Sequence, residues 1–540
     1  MIWDTTQYFL KYDNFFKKIY VNKINTSRKN FFSLIQKISS KNKNIDWWVS
    51  PVGERNNYST DLFHYLCLIE SINHLYKNNI LVECIILDNR FLFKILKKKY
   101  PKFEFKLKQK KKNYSIINIL FKQAIIFIFS KIYKKKYEIE KFSKNIILVD
   151  KFVTSTNLSD DRYYNNFYKH QDNAIYLPTF ANLKIIEIIK VLKKISSDHK
   201  FLNKFDFLST REFLFSFFYF LRKKKLFVNN FYYKNMNLSD LINNQIDKND
   251  NLNASMLGIQ NFLFTKKISE SKIKINKIIN WFENTAIDKG LNYGSNIFLK
   301  DVENIGYQGF TSYKEFMCID PLDYEKKNKL LPKKIICIGK NLINSRKEFC
   351  KNLNISVGPA LRFEHVYKKI KRKKKLKNSV LVNLNLEVES SELIIQNILK
   401  TDFYNSFNGK IYIKSHPFLN MRKKLNLKNY KNIYFLNGNI FQIASKFNVA
   451  VSSGSTSSII ETIVAGCRVC FPFDNFTDAY SLKLIKTPKK YYKVCKSIKE
   501  LSDYLLNNTN NDSLKNKKEI MNFKKNIFNK PNSNNILSIK

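Results

Sequence analysis

The sequence predicts an α/β protein built from two Rossmann-like domains facing each other across a cleft. Three observations carry that expectation. The chain has 540 residues, enough for more than one core. A stretch at 410–474 reads as strand, strand, hydroxyl-rich loop, helix and strand. An earlier stretch at 44–76 reads as strand, glycine turn and amphipathic helix. Hydrophobic content of 44% and aromatic content of 15% argue for packed cores rather than a disordered chain.

Taken in order, residues 1–43 read as a helical, lysine-rich lead-in. The run NIDWWVS at 44–50 reads as a buried strand, followed by Pro51-Val52-Gly53-Glu54-Arg55-Asn56. A helix is expected from Thr60 to about Tyr76, with Leu62, Leu66, Ile69 and Ile72 on one face. This puts Glu54 at the carboxyl edge of a first strand, although a carboxylate there also suits a helix N-terminus. A strand at 80–87 and a helix at 91–99 follow, then the lysine run 106–112, which lacks interleaved aromatics and reads as a solvated loop. The apolar run 116–133 carries Lys122, Gln123 and Lys131, and falls short of roughly 18 uninterrupted apolar residues.

Residues 146–150 form the next expected strand, and Asp160-Asp161-Arg162 suits capping or ion pairing better than a metal. Helical patterns alternate with Asn-rich connections over 181–264. Within them FLFSFFYFL at 213–221 is core or membrane-facing. The strand at 278–280 leads into Trp281-Phe282-Glu283-Asn284, so Glu283 is a second strand-end carboxylate, with packing and capping as the alternative. Residues 311–377 read as an interdomain connection with a small strand at 335–338. Residues 378–505 read as the second domain and 506–540 as a frayed Asn/Lys-rich tail, leaving 1–310 as the first domain.

In the second domain, a strand at 411–413 delivers Lys414, Ser415, His416 and Pro417 to its carboxyl end. A strand at 448–451 is followed by Ser452, Ser453, Gly454, Ser455, Thr456 and Ser457, then a helix at 459–465, Gly466 in a left-handed position, and a strand at 469–473. Backbone N–H groups and the positive end of the helix dipole make such a loop an anion site, most often for phosphate. Ser-rich loops also cap helices with no ligand at all, and Ser458 to Glu461 fits a capping box.

The pairing of His416-Pro417 with Ser452-Ser453 resembles the "HP" and "SS" motifs of bacterial sialyltransferases, polysialyltransferases and capsule-synthesis proteins. Ser50-Pro51-Val52-Gly53-Glu54 resembles the start of the Kdo transferases, with one extra residue. With the segments around Trp281, Ile305-Gly306-Tyr307-Gln308-Gly309-Phe310 and Val357-Gly358-Pro359-Ala360-Leu361-Arg362-Phe363, the chain from about 45 to 480 resembles a family of bacterial surface-carbohydrate biosynthesis glycosyltransferases of the O-antigen or capsule type. That resemblance implies a GT-B fold and a metal-independent, inverting transfer from a nucleotide sugar. It implies that Lys414, His416 and the serines grip the donor phosphate, that Glu461 meets the ribose, and that Glu54, with Glu283 as rival, is the base. Arg55, Asn56, Asn284, Lys289 and Arg362 become candidates for the acceptor side of the cleft. The likeness favours a CMP-activated acidic sugar as donor. A nucleotide-sugar 2-epimerase and a CDP-alditol phosphotransferase share the architecture and stay open.

The net charge of +51 comes from 84 Lys and 11 Arg against 44 acidic residues. It suits a nucleotide sugar, a lipid-linked or oligosaccharide acceptor and an anionic inner membrane surface; a nucleic-acid-binding protein is a further reading, but no recognisable module accompanies the charge. No cofactor is expected beyond the nucleotide sugar as co-substrate. Cys467 and Cys470 form a lone C-x-x-C, so the eight cysteines read as buried thiols of a cytoplasmic protein. Met1–Leu10 shows no cleavable apolar core.

Overall fold

The computed structural model describes the chain except residues 8–10, 110–115, 136–145, 162, 166, 168–172, 312–315, 369–374, 385–387, 417–420, 426, 428–429, 453–456, 473–481, 483–484, 512–516 and 533–540. Its strands form two six-stranded parallel sheets, a three-stranded parallel sheet and one hairpin. The three-stranded sheet runs Ile2–Asp4 (β1), Cys84–Leu87 (β2), Glu104–Leu107 (β3). The helices Asn14–Lys41, Leu62–Lys77 and Arg90–Lys99 bury Phe31, Ile35, Leu66, Ile69 and Leu92 in one cluster with Ile85 of β2.

The first large sheet contains Ile146–Val153 (β4) and Ala174–Phe180 (β5). After the hairpin of Tyr232–Tyr233 (β6) and Met236–Asn237 (β7) come Ile275–Trp281 (β8), Glu303–Gln308 (β9), Lys334–Cys337 (β10) and Ile355–Val357 (β11). In space the order is β11-β10-β9-β8-β4-β5. Its central strands β8 and β9 are buried along nearly their whole length although they carry Asn280, Asn304 and Gln308. The second large sheet contains Ser379–Asn383 (β12), Lys410–Lys414 (β13), Ile433–Phe435 (β14), Val449–Ser452 (β15), Arg468–Pro472 (β16) and Tyr492–Cys495 (β17), ordered β14-β13-β12-β15-β16-β17. That is the doubly wound order of a Rossmann domain, and the first sheet follows the related order in which the second strand flanks the first. In each sheet the direction of winding reverses once, between β4 and β8 and between β12 and β15. Those two crevices are where such sheets take ligands.

Three expectations are corrected. Residues 44–50 are not a strand. The Asn44 side chain accepts from Trp47 N–H (3.0 Å) and opens the short helix Ile45–Trp48. The Ser50 hydroxyl accepts from Gly53 N–H (3.0 Å) and, with Pro51 at the first position, opens a second, Pro51–Glu54. A Cβ on Gly53 would lie 2.1 Å from the Trp47 carbonyl oxygen, so this tight double turn needs glycine. The segment 311–377 is not only a connection: it supplies β10 and β11 to the first large sheet. Nor is 506–540 a frayed tail throughout. Ile520, Phe523 and Ile527 recur at helical spacing in the helix Lys517–Ile527 and, with Phe528, are buried in a cluster that contains the first sheet's β9 and β10 residues. Asn529 N–H donates to the Ile338 carbonyl (2.6 Å), and Ala360 N–H donates to the Asn529 carbonyl (2.8 Å).

Candidate active site

The first half of the site sits where β8 ends. Glu283 follows Trp281 at the carboxyl edge, beside the reversal between β4 and β8, and the helix Ala286–Phe298 starts just beyond. Asn284 turns the chain through a left-handed conformation (φ 59°). Asp288 then accepts from the N–H groups of Glu283 and Thr285, each at 3.0 Å, which fixes the turn. Glu283 accepts from the Trp281 indole N–H at 2.8 Å and stays partly exposed. Desolvation by its surroundings pushes its carboxyl above the ordinary value, and Glu54 adds to that; the indole bond and the positive charge of Arg362 pull the other way.

Glu54 lies in the same neighbourhood but is differently held. It is 2% exposed. Its carboxylate accepts from Ser59 Oγ (2.8 Å), Asn251 Nδ2 (3.0 Å), Ala286 N–H (3.2 Å) and Asn56 Nδ2 (3.3 Å). It therefore lies at the N-terminal end of the helix Ala286–Phe298, where the helix dipole favours it. The expected strand edge is replaced by the end of a helical turn.

Arg55, Asn284 and Lys289, candidates for the acceptor side, are instead fully buried around Glu325, a residue the sequence reading missed. Arg55 donates to Glu325 (2.8 Å) and to the carbonyls of Met317, Cys318 and Asp320. Lys289 pairs with Glu325 at 3.0 Å and donates to the Gly53 carbonyl at 2.7 Å, and Asn284 donates to Glu325 at 3.1 Å. The two cations hold the Glu325 carboxyl below its ordinary value despite burial. These three residues join segments of the first domain and are not open to a ligand. Asn56 is partly exposed but is spent on Glu54. Arg362 is half-buried, and its charge acts on Glu283.

The second half lies on the other large sheet. Register pairs Asn383 of β12 with Lys414 of β13 and with Ser452 of β15, so the three line up along one carboxyl edge at the reversal between β12 and β15. Neighbouring strands are about 4.8 Å apart, which sets Lys414 and Ser452 roughly 10 Å apart with Asn383 between them. Asn383 Nδ2 donates to Ser458 Oγ (2.7 Å), tying the edge to the first turn of the helix Ser457–Val464. The Ser452 hydroxyl is buried and, among the described residues, has no hydrogen-bond partner. His416 is half-buried two residues past Lys414. Pro417, Ser453, Gly454, Ser455 and Thr456 lie outside the described residues. Gly466 takes the expected left-handed conformation (φ 85°).

One short segment touches both halves. Leu361–Tyr367 forms 3-10 turns in which Arg362 acts on Glu283 while His365 Nε2 meets Glu461 Oε1 at 2.5 Å. Glu461, expected to meet a ribose, is thus engaged by a side chain from the connection. Tyr307 OH anchors the segment by donating to the Pro359 carbonyl (2.7 Å) and accepting from Leu361 N–H (3.1 Å). Sequence reading missed Asn383 and His365 as well; the signal for Asn383 was its place as the polar last residue of a buried strand. Asp161 caps Tyr163 and Tyr164 N–H groups (3.2 and 2.8 Å). Cys467 and Cys470 are both buried free thiols, with Cys470 Sγ 3.1 Å from Cys495 Sγ.

No protein-family profile and no curated protein sequence matches the chain. Among solved structures it is similar to the wall teichoic acid polymerase TagF, at 9% identity over 79% of this chain and 96% of that one, with a TM-score of 0.36. It is also similar to the glycosyltransferase SnogD from Streptomyces nogalater (6% identity, 73% and 98% covered, TM-score 0.38) and to S. aureus MnaA with UDP (10%, 73% and 95%, TM-score 0.39). Likenesses of this size assign no residue and no substrate to this chain.

Proposed function

We propose that the chain is a metal-independent, inverting GT-B glycosyltransferase that moves a sugar from a nucleotide donor to a lipid-linked or oligosaccharide acceptor of surface-polysaccharide synthesis. The observation that carries the reading is the meeting of two strand-order reversals through one segment. Glu283 stands at the first and Asn383 and Ser452 at the second, and the segment Leu361–Tyr367 is held to the first sheet by Tyr307 and to the helix Ser457–Val464 by His365. The donor phosphate would lie along the second edge, met by Lys414, His416, the orphaned Ser452 hydroxyl and the N-terminal turn beginning at Ser457. Donors aimed at the charge that develops on the departing phosphate contribute roughly 3 kcal/mol each where measured.

Glu283, rather than Glu54, is the base in this reading. A carboxylate offers about four lone-pair sites, and four donors already use those of Glu54. Glu283 accepts one such bond among the described residues and has partial exposure and a raised pKa. It would take the proton of an acceptor hydroxyl as that oxygen bonds to the anomeric carbon. The sugar–phosphate C–O bond breaks on the opposite face, and the nucleotide leaves with the electron pair. Glu54 is then a positioning residue that fixes the helix start beneath Glu283.

The favoured donor is a CMP-activated acidic sugar. Calorimetric titration with CMP, UDP and GDP nucleotides should give one preference, weakened about tenfold or more in His416→Ala. Equal affinities untouched by that substitution would overturn the donor site, and turnover of a nucleotide sugar without acceptor would favour epimerisation instead.

A further inference from the structure

We infer that the helix Ile116–Ile132, together with Thr210–Phe217 and Tyr219–Arg222, forms a docking face for an anionic lipid bilayer. The sequence IINILFKQAIIFIFSKI is apolar at twelve of its 17 positions. Such a helix is ordinarily enclosed by protein. Here only one side is enclosed: Gln123, Ile126, Phe127 and Ser130 face the core. Ile117, Phe121, Ile128 and Ile132 are 77, 60, 52 and 63% exposed. Spacings of four, seven and four residues keep those four within about 60° of one stripe at 100° per residue. The two lysines in the helix do not interrupt the stripe. Lys122 donates to the Leu183 carbonyl (3.1 Å), and Lys131 donates to those of Phe205 and Leu208 (2.6 and 2.7 Å).

The neighbouring helices carry further exposed apolar residues, Leu214, Phe215, Phe218 and Leu221. Phe127 stacks on Phe213 at 4.1 Å, and Gln260 Nε2 donates to both Gln123 (3.1 Å) and Ser216 (3.3 Å), so the helices lie side by side. At 17 residues Ile116–Ile132 is too short to cross a membrane but suits lying in the headgroup plane. Charge chooses the lipid. Arg211, Lys224, Lys225 and Lys134 are exposed on these helices or within three residues of their ends. Two acids on or against these helices are engaged, Asp46 by Arg222 (2.8 Å) and Glu212 by Lys267 (3.3 Å). A cationic rim about an apolar stripe fits anionic headgroups over acyl chains, whereas a second copy of a chain at +51 would meet its own charge.

The inner side of the same helix leads toward the site. Gln123 donates to Asn253 (2.8 Å), and Asn251 holds Glu54. Docking there would let an acceptor borne by lipid reach Glu283 from the membrane side; this last step rests on the proposed function, while the docking does not.

Flotation with vesicles of phosphatidylcholine, alone or with about one-third phosphatidylglycerol, tests the inference. The chain should float only with the anionic vesicles, and Phe121→Gln/Leu221→Gln should lower partitioning about tenfold or more with circular dichroism and nucleotide binding unchanged. Absence of flotation, equal flotation of the variant, or loss of a dimer in the variant by light scattering would overturn it. Failure of nucleotide binding in both proteins would sink the transferase reading and leave the lipid result readable.

Discussion

Two carboxylates near one helix start have separate fates because their hydrogen-bond partners differ. Glu283→Gln should lower the transfer rate by roughly 10²–10⁴ while donor affinity holds. Glu54→Ala should instead leave buried donors of Ser59, Asn251 and Ala286 unpaired and lower the melting temperature, at about 1–3 kcal/mol for such a loss. Because the base works deprotonated and its pKa is raised, the acid limb of the rate profile should lie above the ordinary carboxylate range. Kinetics of both variants across pH check this; an acid limb at the ordinary value, or full activity in Glu283→Gln, would remove Glu283 from the reaction. Glu283 was legible because a carboxylate after a short apolar run stands at a strand end in an α/β protein. Glu325 was not, because Arg55 lies 270 positions before it and no local pattern joins them. Asn284 and Lys289 looked like site residues for the same reason, since a polar residue near a strand end reads alike whether it meets ligand or a distant acid.

At the level of elements, β13, β15 and β16 of the second domain were legible as short buried apolar runs, whereas β14 and β17, whose runs are brief and only partly buried, were not. The run 44–50 failed because side-chain caps at Asn44 and Ser50 outcompeted its apolar, strand-like composition. The C-terminal helix was missed because Lys and Asn dominate its composition, yet only three or four residues need to be apolar to seat it. Phe528 is fully buried and stacks on Phe363 at 4.5 Å. Phe528→Ala should cost about 3–5 kcal/mol, read as a lower denaturation midpoint. It should also loosen Leu361–Tyr367 and weaken donor binding; a stability loss under about 1 kcal/mol would show that the helix is only appended. A closer contact sits between the helices Leu252–Ser269 and Ala286–Phe298, where a Cβ on Gly290 would lie 1.9 Å from the Gly258 carbonyl oxygen. That approach sets the helix whose start lies beside Glu283 and Glu54.

Across the whole molecule, two sheets with one reversal each make the ligand crevices a property of strand order rather than of any motif. Lys414 and Ser452, picked from the sequence as phosphate-site candidates, do share one carboxyl edge of the second large sheet, while much of the loop after Ser452 lies outside the described residues. The charge of +51 is a separate property of the surface. Polyanion binding that arises from it should fall steeply with salt, whereas nucleotide binding at a built site should change little between 50 and 200 mM. Titrating RNA and a nucleotide sugar in parallel decides it; salt-resistant RNA binding would favour a nucleic-acid role. The helix Lys517–Ile527 also imposes an order on biosynthesis. It follows every strand of both sheets, so the floor formed by Ile338 and Ala360 stays open while the ribosome makes everything after it. At 5–20 residues per second that wait is on the order of 10–30 s. During that time the nascent first domain exposes apolar surface that a chaperone would have to shield.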